Sequence, residues 1–436
     1  MMGKYLTLSG LALKYLYRYR RRYAFLFFAL LFGFGIITFI TALKDSMDIN
    51  VYYSAQSHYA GDIIANSYDS SVKQTYHMGR AEQEAILEAA LDAGIKPRNT
   101  VMRTMIGEVG QIYFNGTAIR LKYVLGINWN DEAFIFEKAI FESPPEIPAG
   151  DDGIFLSAPV ANLLGVRMED SITLETETRW GQKNTGQFIV RGIVEDASIF
   201  GYYKVYVSRL TLNRMSAYYD DDCSSIGFFL EDRSQAEKAR LRLQEILAER
   251  LQTGPLVNNR DELARETGQP WEGIKIFLYT LPVYLSEVSD LLGAMNIIAY
   301  FLYAMILIII FVSAVVTYRL ILYERNREVG IMRAIGFYGA DIRTLLWAEV
   351  FSLGIISLAG GFIFALILNE VFSLVSFSWF PSFEIFMKDG KLAALYLPKT
   401  IFINVVSVFL ILAAAVCFPV LHSSRAPLPR LLGVTS

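Results

Sequence analysis

The segment ERNREVGIMRAIG, residues 324–336, separates two long apolar stretches and indicates what kind of protein this chain is. The stretches on either side, residues 291–318 and 350–369, contain no charged side chain. Each is long enough to cross roughly 30 Å of hydrocarbon, which takes about 20 helical residues. Five charged residues between two such spans have to lie at a membrane surface. The pattern therefore predicts a surface element between two membrane helices.

Two further apolar runs, residues 23–43 and 400–421, raise the number of predicted spans to four, in a chain that is 53% hydrophobic. The first run follows a basic leader, but no small-residue cleavage site precedes Lys44, so we expect a retained anchor. The expected fold is an α-helical integral membrane protein with four transmembrane helices. A large α+β extracytoplasmic domain is inserted between helices 1 and 2.

The distribution of Lys and Arg predicts the orientation of the spans. Residues 1–22 carry six basic residues and no acidic one, and the loop after span two and the C-terminal tail are also basic. Basic flanks stay in the cytoplasm. We therefore expect a cytoplasmic interfacial helix at 1–22, a cytoplasmic loop at 319–349 and a cytoplasmic tail at 422–436. Residues 44–290 and 370–399 are expected on the outer side.

The outer segment has the mixed strand and helix pattern of an α+β domain. Its early and late parts resemble each other in pattern and bracket a middle richer in strands. We therefore predict a discontinuous porter-like subdomain, residues 45–127 with 220–280, into which a second subdomain, 128–219, is inserted. A turn is expected at Asn115-Gly116, since Asn-Gly favours tight hairpins.

Apolar residues recur every three or four positions just before span two: Leu281, Leu285, Val288 and Leu292. This spacing predicts an amphipathic helix that continues from the outer domain into the membrane. Such a helix is either a stiff stalk that transmits motion or an ordinary linker, and the pattern favours neither.

Composition and motifs argue against several classes of function. The net charge of −3 disfavours a nucleic-acid partner, and anionic lipid accounts better for the basic N-terminus. The two cysteines and three histidines form no metal or disulfide pattern. The sequence contains no phosphate-binding loop and no hydrolase motif. We therefore expect neither catalysis nor a bound cofactor, and a separate ATPase that binds the ATP.

The segment 324–336 itself has the pattern of a short docking helix. Val329, Met332 and Ile335 fall near one helical face, and Gly336 is placed to end the helix. The alternative is a solvated loop that lies along the lipid. Glu349, at the start of span three, either pairs with an arginine of this loop or lies at the aqueous interface, and sequence alone favours the interface.

ERNREVGIMRAIG closely resembles the E-R-x-R-E-[IV]-G-[IL]-[LM]-R-A-[IL]-G signature of FtsX-like permeases, the membrane subunits of MacB-type and LolC/LolE-type ABC transporters. Residues 150–174, GDDGIFLSAPVANLLGVRMEDSITL, are similar to a stretch of the family's outer domain, although Glu169-Asp170 replaces the usual Gly-Asp. The order of one span, a large outer domain and three spans is also the family's.

This resemblance implies two permease chains, identical or different, bound to a dimer of cytoplasmic ABC ATPases in a bacterial inner membrane. It assigns the ATPase-coupling role to nine residues: Glu324, Arg325, Arg327, Glu328, Gly330, Met332, Arg333, Ala334 and Gly336.

The leading hypothesis is the release of lipoproteins, or similar lipid-attached cargo, from the outer leaflet toward a periplasmic carrier. MacB-like efflux of drugs or peptides through an adaptor is the close alternative. A hypothesis of another class is an FtsX-like signalling scaffold that activates a cell-wall hydrolase.

Overall fold

The structure is a computed structural model of the 436-residue chain. It describes residues 14, 16–69, 77–107, 110–137, 139, 141–145, 147–194, 203–375 and 393–425, without the side chains of 287, 288, 418 and 421–425. The chain divides into two compact units. The membrane unit comprises Met1–Asp48, Gly293–Ser376 and Lys391–Ser436, and the outer unit comprises Ile49–Leu292 and Phe377–Gly390.

The described helices, in chain order, are α1 (Arg20–Tyr59), α2 (Arg80–Asp92), α3 (Ala133–Phe136), α4 (Ala158–Leu164), α5 (Arg209–Met215), α6 (Ala236–Ala248), α7 (Arg260–Thr267), α8 (Leu281–Tyr284), α9 (Ser286–Ala334), α10 (Gly339–Ser373) and α11 (Pro398–Arg425). A 3-10 turn, Arg233–Gln235, precedes α6.

The described strands are β1 (Ile63–Asp69), β2 (Pro97–Gly107), β3 (Gln111–Phe114), β4 (Thr117–Arg120), β5 (Tyr123–Ile127), β6 (Gly153–Ser157), β7 (Ser171–Glu177), β8 (Lys183–Val194), β9 (Lys204–Ser208), β10 (Ser225–Leu230) and β11 (Ile274–Thr280).

Four of the described helices, α1, α9, α10 and α11, are long and apolar enough to cross a membrane. This agrees with the four predicted spans, but the helices run well beyond them: α1 continues to Tyr59, past the predicted end at residue 43. Hydropathy marks where the apolar stretch ends, whereas a helix ends only where Gly, Pro or a cap stops it. No Gly or Pro occurs between residues 44 and 59.

Close contact between α1 and α10 depends on small residues. A Cβ atom added at Gly361 would lie 2.6 Å from the backbone oxygen of Leu31, and one added at Gly35 would lie 2.8 Å from the backbone oxygen of Gly361. Atoms cannot approach this closely, so both positions require glycine. The surrounding buried side chains include Leu30, Phe34 and Leu358.

The outer unit is built on one eleven-stranded sheet, with the strand order β11-β1-β10-β2-β5-β9-β6-β8-β7-β3-β4. The first four strands pair antiparallel, and one core contains residues of α2 and α6 together with β1, β10 and β11. The remaining strands include two parallel pairs, β5 with β9 and β6 with β8. They share a second core with α4 and α5.

The predicted boundary between the two subdomains at residue 127 differs from the structure. Ile112, Leu121 and Val124 belong to the second core, so β3, β4 and β5 group with the segment predicted as inserted. The reason is long-range pairing: β3 pairs with β7, which the local pattern does not show. The turn at Asn115-Gly116 has positive φ at both residues, 45° and 83°, as the Asn-Gly pair predicts.

Within the outer unit, the end of α1 and the start of the stalk are fixed to the sheet. The buried Arg103 guanidinium donates to the backbone oxygen of His58 (2.7 Å) and pairs with Glu132 (2.5 Å). The rings of Tyr59 and Tyr284 stack, with centroids 4.2 Å apart. These contacts hold the end of α1 against the sheet and against the short helix α8, which precedes α9.

The predicted stalk helix begins later than expected. Leu281 lies in the separate helix α8, and both Leu281 and Leu285 are buried in the outer unit, so α9 starts only at Ser286. Leu292 is half-buried in α9. Val288 lies in α9, but its side chain is outside the described part of the structure.

Candidate functional site

The segment predicted as a coupling loop, residues 319–349, consists of two helix ends joined by four residues. The helix α9 continues to Ala334, and α10 begins at Gly339. The Phe337 amide donates to the Met332 carbonyl (3.0 Å) and the Gly336 amide donates to the Arg333 carbonyl (3.1 Å). Gly336 has φ +101°. This is the hydrogen-bond pattern that glycine commonly supports at a helix end.

One side of this turn carries exposed, mainly apolar side chains. Ile335 is 71% exposed, Tyr338 is 77% exposed and Ile331 is 49% exposed. Arg327 and Ala334 are exposed beside them. We call these five residues the tip surface. Large apolar side chains that cluster in the open mark a site where another molecule binds.

The opposite side of α9 faces the interior of the membrane unit. Val329 and Met332 are buried in its core, and Gly330 is also buried. Met332 and Gly330, which the resemblance assigned to ATPase contact, therefore lie on the packed face in this conformation. The sequence predicts that Val329, Met332 and Ile335 share one helical face. In the structure Val329 and Met332 are buried, and only Ile335 is exposed.

A buried ion pair joins α9 to α10 behind the turn. The Arg325 guanidinium donates to Glu349 (2.7 Å), and the two side chains are 1% and 0% exposed. The Tyr23 hydroxyl of α1 also donates to Glu349 (2.7 Å). Glu349 therefore takes the paired alternative and not the interfacial one. Arg325, expected at the ATPase contact, is instead enclosed by three helices.

A second set of contacts joins the same end of α9 to the start of α1. Glu328 accepts hydrogen bonds from the Tyr19 hydroxyl and from Nε of Arg325 (3.2 Å). Glu324 pairs with Arg22 at 3.0 Å, and both side chains are about two-fifths exposed, 40% and 42%. Three contacts therefore hold the turn: the buried pair of Arg325 with Glu349, the half-buried carboxylate of Glu328, and the exposed pair of Glu324 with Arg22.

The sequence does not single out Tyr19 or Tyr23, because Tyr19 lies in the predicted interfacial helix at 1–22 and Tyr23 is the first residue of the predicted span 23–43. Their spacing of four places both hydroxyls on one side of a helix, which was the available signal. Arg333 is half-buried next to the tip surface. Within the described residues, no group of three or more His, Cys, Asp or Glu could hold a metal ion.

The contacts of the turn divide between its two sides. A rigid turn presents an apolar surface, and its inner side is tied by charged hydrogen bonds to α1 and α10. Hydrogen bonds between ionised groups are short and directional, so they fix the position of the turn relative to both helices.

Comparison with known proteins identifies the domain that contains this turn. Residues 300–428 match the family model of the FtsX-like permease C-terminal domain. This confirms the resemblance expected from ERNREVGIMRAIG. No curated protein sequence matches the chain.

Two solved structures show similarity at low identity. The periplasmic region of MacB from Actinobacillus actinomycetemcomitans is 11% identical, with a TM-score of 0.31, and the match covers 54% of this chain and 96% of that one. A domain from Porphyromonas gingivalis, described as part of a permease protein, is 11% identical with a TM-score of 0.27. That match covers 51% of this chain and 89% of the other.

Proposed function

We propose that the chain is the permease subunit of an ABC transporter, because residues 300–428 match the family model of the FtsX-like permease C-terminal domain. ATP hydrolysis takes place on a separate cytoplasmic ATPase, and the permease converts the motion of that ATPase into motion of the outer domain. The observation that carries the proposal is the tip surface, an exposed apolar turn flanked by charged residues in a membrane domain of this type.

The tip surface is the docking site for the ATPase in this scheme. Ile331, Ile335 and Tyr338 supply apolar contact, and Arg327 supplies a charge that fixes the register of docking. Aromatic and arginine side chains are the types that most often dominate binding energy at interfaces. The turn itself is held in place by the contacts of Arg325, Glu328 and Glu324, which lie behind the tip surface.

The helix α9 is the element that carries the motion outward. At 49 residues and about 1.5 Å per residue it is roughly 70 Å long, more than twice the thickness of the hydrocarbon. It begins in the outer unit and ends at the tip surface. A continuous helix transmits axial and tilting motion without an intervening hinge, which supports the stalk role over that of a linker.

A second permease chain completes the transporter in this proposal. The most apolar part of α9 is only 11% buried, against 50% for α1, so this helix has surface left for a second copy, a related chain or lipid. The N-terminus, the tip surface and the C-terminus lie in the cytoplasm of a bacterial cell, and the outer unit lies in the periplasm.

We assign the cargo to lipoproteins or similarly lipid-attached molecules, which a periplasmic carrier or adaptor receives. The support is the resemblance of ERNREVGIMRAIG to the signature of the family that includes LolC and LolE. Two alternative functions use the same motion: efflux of drugs or peptides, and signalling to a cell-wall hydrolase. An assay of lipoprotein release distinguishes both from the assigned function.

The first test is copurification from native membranes. The chain should retain a second protein that carries a phosphate-binding loop, and Ile335→Asp combined with Arg327→Glu should reduce its yield at least about tenfold, because a charge replaces buried apolar contact. Leu91→Asp is the matched control, since Leu91 is also 71% exposed but lies in the outer unit. Equal loss in the control would contradict docking at the tip surface.

The second test is reconstitution of the complex in liposomes with a lipoprotein, a carrier and ATP. Release that requires ATP supports the assigned cargo. Hydrolysis without release, together with binding of a soluble hydrolase to the outer unit, would favour the signalling scaffold.

A further inference from the structure

The first turns of α1 carry a row of exposed side chains that changes from basic to aromatic. Arg21, Phe25, Phe28 and Phe32 are spaced by four, three and four residues, which places them on one side of the helix. Phe25 is 66% exposed, Phe28 is 50% exposed and Phe32 is 44% exposed. The row therefore presents a cation followed by about two turns of aromatic surface.

The basic end of this row extends backward. Lys14 and Arg18 continue the same spacing along the sequence, in helical residues that a turn at Tyr19 separates from α1, and both are exposed. Arg20 and Arg22 add two further exposed cations, while residues 1–22 contain no acidic side chain. Like charges at this spacing repel one another and weaken the start of a helix. A bound anion would remove that repulsion.

We propose that this row is a binding site for an anionic phospholipid. Lys14, Arg18 and Arg21 hold the headgroup phosphate, and an acyl chain lies along Phe25, Phe28 and Phe32. The two halves of the row match the two halves of such a lipid in charge and polarity. Long basic side chains reach the headgroup level while the aromatic rings remain beside the hydrocarbon. A soluble anion would use only the basic half.

The site is connected to the turn between α9 and α10. Arg22, in the first turn of α1, pairs with Glu324, and Tyr19, immediately before α1, donates to Glu328. Headgroup binding that stabilises this turn of α1 therefore stabilises the end of α9. The anionic lipid content of the membrane would then set how firmly the tip surface is held. This regulatory step depends on the proposed function, whereas the lipid site does not.

Native mass spectrometry of the full chain tests the lipid site. From a mixture of phosphatidylglycerol and phosphatidylcholine, the protein should retain phosphatidylglycerol preferentially. Arg18→Gln with Arg21→Gln should lower that occupancy by about tenfold or more, because each basic residue near the headgroup contributes separately. Lys238→Gln with Arg242→Gln, two exposed positions on α6, should leave it unchanged. Equal retention of both lipids, or displacement by glycerol phosphate alone, would overturn the site.

Hydrogen exchange in nanodiscs tests the regulatory link. Backbone amides of residues 324–338 should exchange more slowly in phosphatidylglycerol than in phosphatidylcholine. Glu324→Gln, which removes the partner of Arg22 but no cation of the row, should abolish this difference while lipid retention persists. An unchanged exchange rate despite lipid binding would refute the link. Failure of the ATPase to copurify would refute the proposed function without affecting either lipid result. Exchange within α10 reports whether each variant is folded.

Discussion

Removal of Arg325 should strongly destabilise the membrane unit, although this residue lies in the segment predicted as a cytoplasmic loop. In Arg325→Met the Glu349 carboxylate remains, at 0% exposure, with only the Tyr23 hydroxyl donating to it. Truncation of one partner of a buried ion pair costs about 3–5 kcal/mol, because the other charge is left uncompensated. The free energy of unfolding of the full chain should fall by about that amount.

A double-mutant cycle separates this effect from a general loss of packing. Arg325→Met with Glu349→Leu removes both charges, and apolar replacement of a whole buried pair is often neutral or stabilising. The double variant should therefore be more stable than Arg325→Met alone by at least about 1–2 kcal/mol. The assay is denaturant unfolding in mixed micelles, followed by tryptophan fluorescence.

The matched control is Arg22→Met, which breaks an ion pair in the same unit but at an exposed position. Exposed pairs contribute roughly 0–1 kcal/mol, so little change is expected. The reasoning is refuted if Arg325→Met is as mild as Arg22→Met, or if the double variant loses the sum of the two single losses.

Two further predictions concern the contact between α1 and α10 and the outer unit. Gly361→Leu should prevent the two helices from packing and remove the folded protein from detergent extracts. Gly293→Ala should be tolerated, because a Cβ there meets no atom within 4 Å, and equal yields of both would contradict the contact. Burial, together with the nearby charge of Arg179, lowers the pKa of His77 from the usual 6.5 to about 3. Between these two pH values the His77 side chain binds a proton in the unfolded state but not in the folded state. Stability should therefore fall as the pH drops from 6.5 to 5, with a slope from this residue that approaches about 1.4 kcal/mol per pH unit toward pH 5, and His77→Phe should flatten the slope. An unchanged slope in the variant would refute this assignment.

The membrane helices and the end of α9 could be predicted from sequence because both depend on local signals. Apolar runs without charge identify the spans, and Gly336 after a helical pattern indicates the stop. The extent of the helices could not be predicted in this way. α9 passes through the charged residues 324–328 without a break, since Glu, Arg and Asn do not by themselves end a helix.

The partners within the site could not be predicted because they come from distant parts of the chain. Arg325 and Glu349 are separated by 24 residues, and Tyr23 is separated from Glu349 by 326. The sequence signature groups Arg325 with Arg327 as neighbouring charges. The structure buries the first and exposes the second, and only the packing of three helices distinguishes them. The sequence also does not show that β3 to β5 belong to the second core, because their partners there lie far along the chain.

The most direct measurement of the central claim is site-specific photocrosslinking in intact cells, with the photoreactive residue at position 335 or at position 91. Both native side chains are 71% exposed, but one belongs to the tip surface and the other to the outer unit. We predict that position 335 crosslinks to a chain with a phosphate-binding loop and that position 91 does not. A crosslink from position 335 only to lipid or to periplasmic proteins would contradict the account.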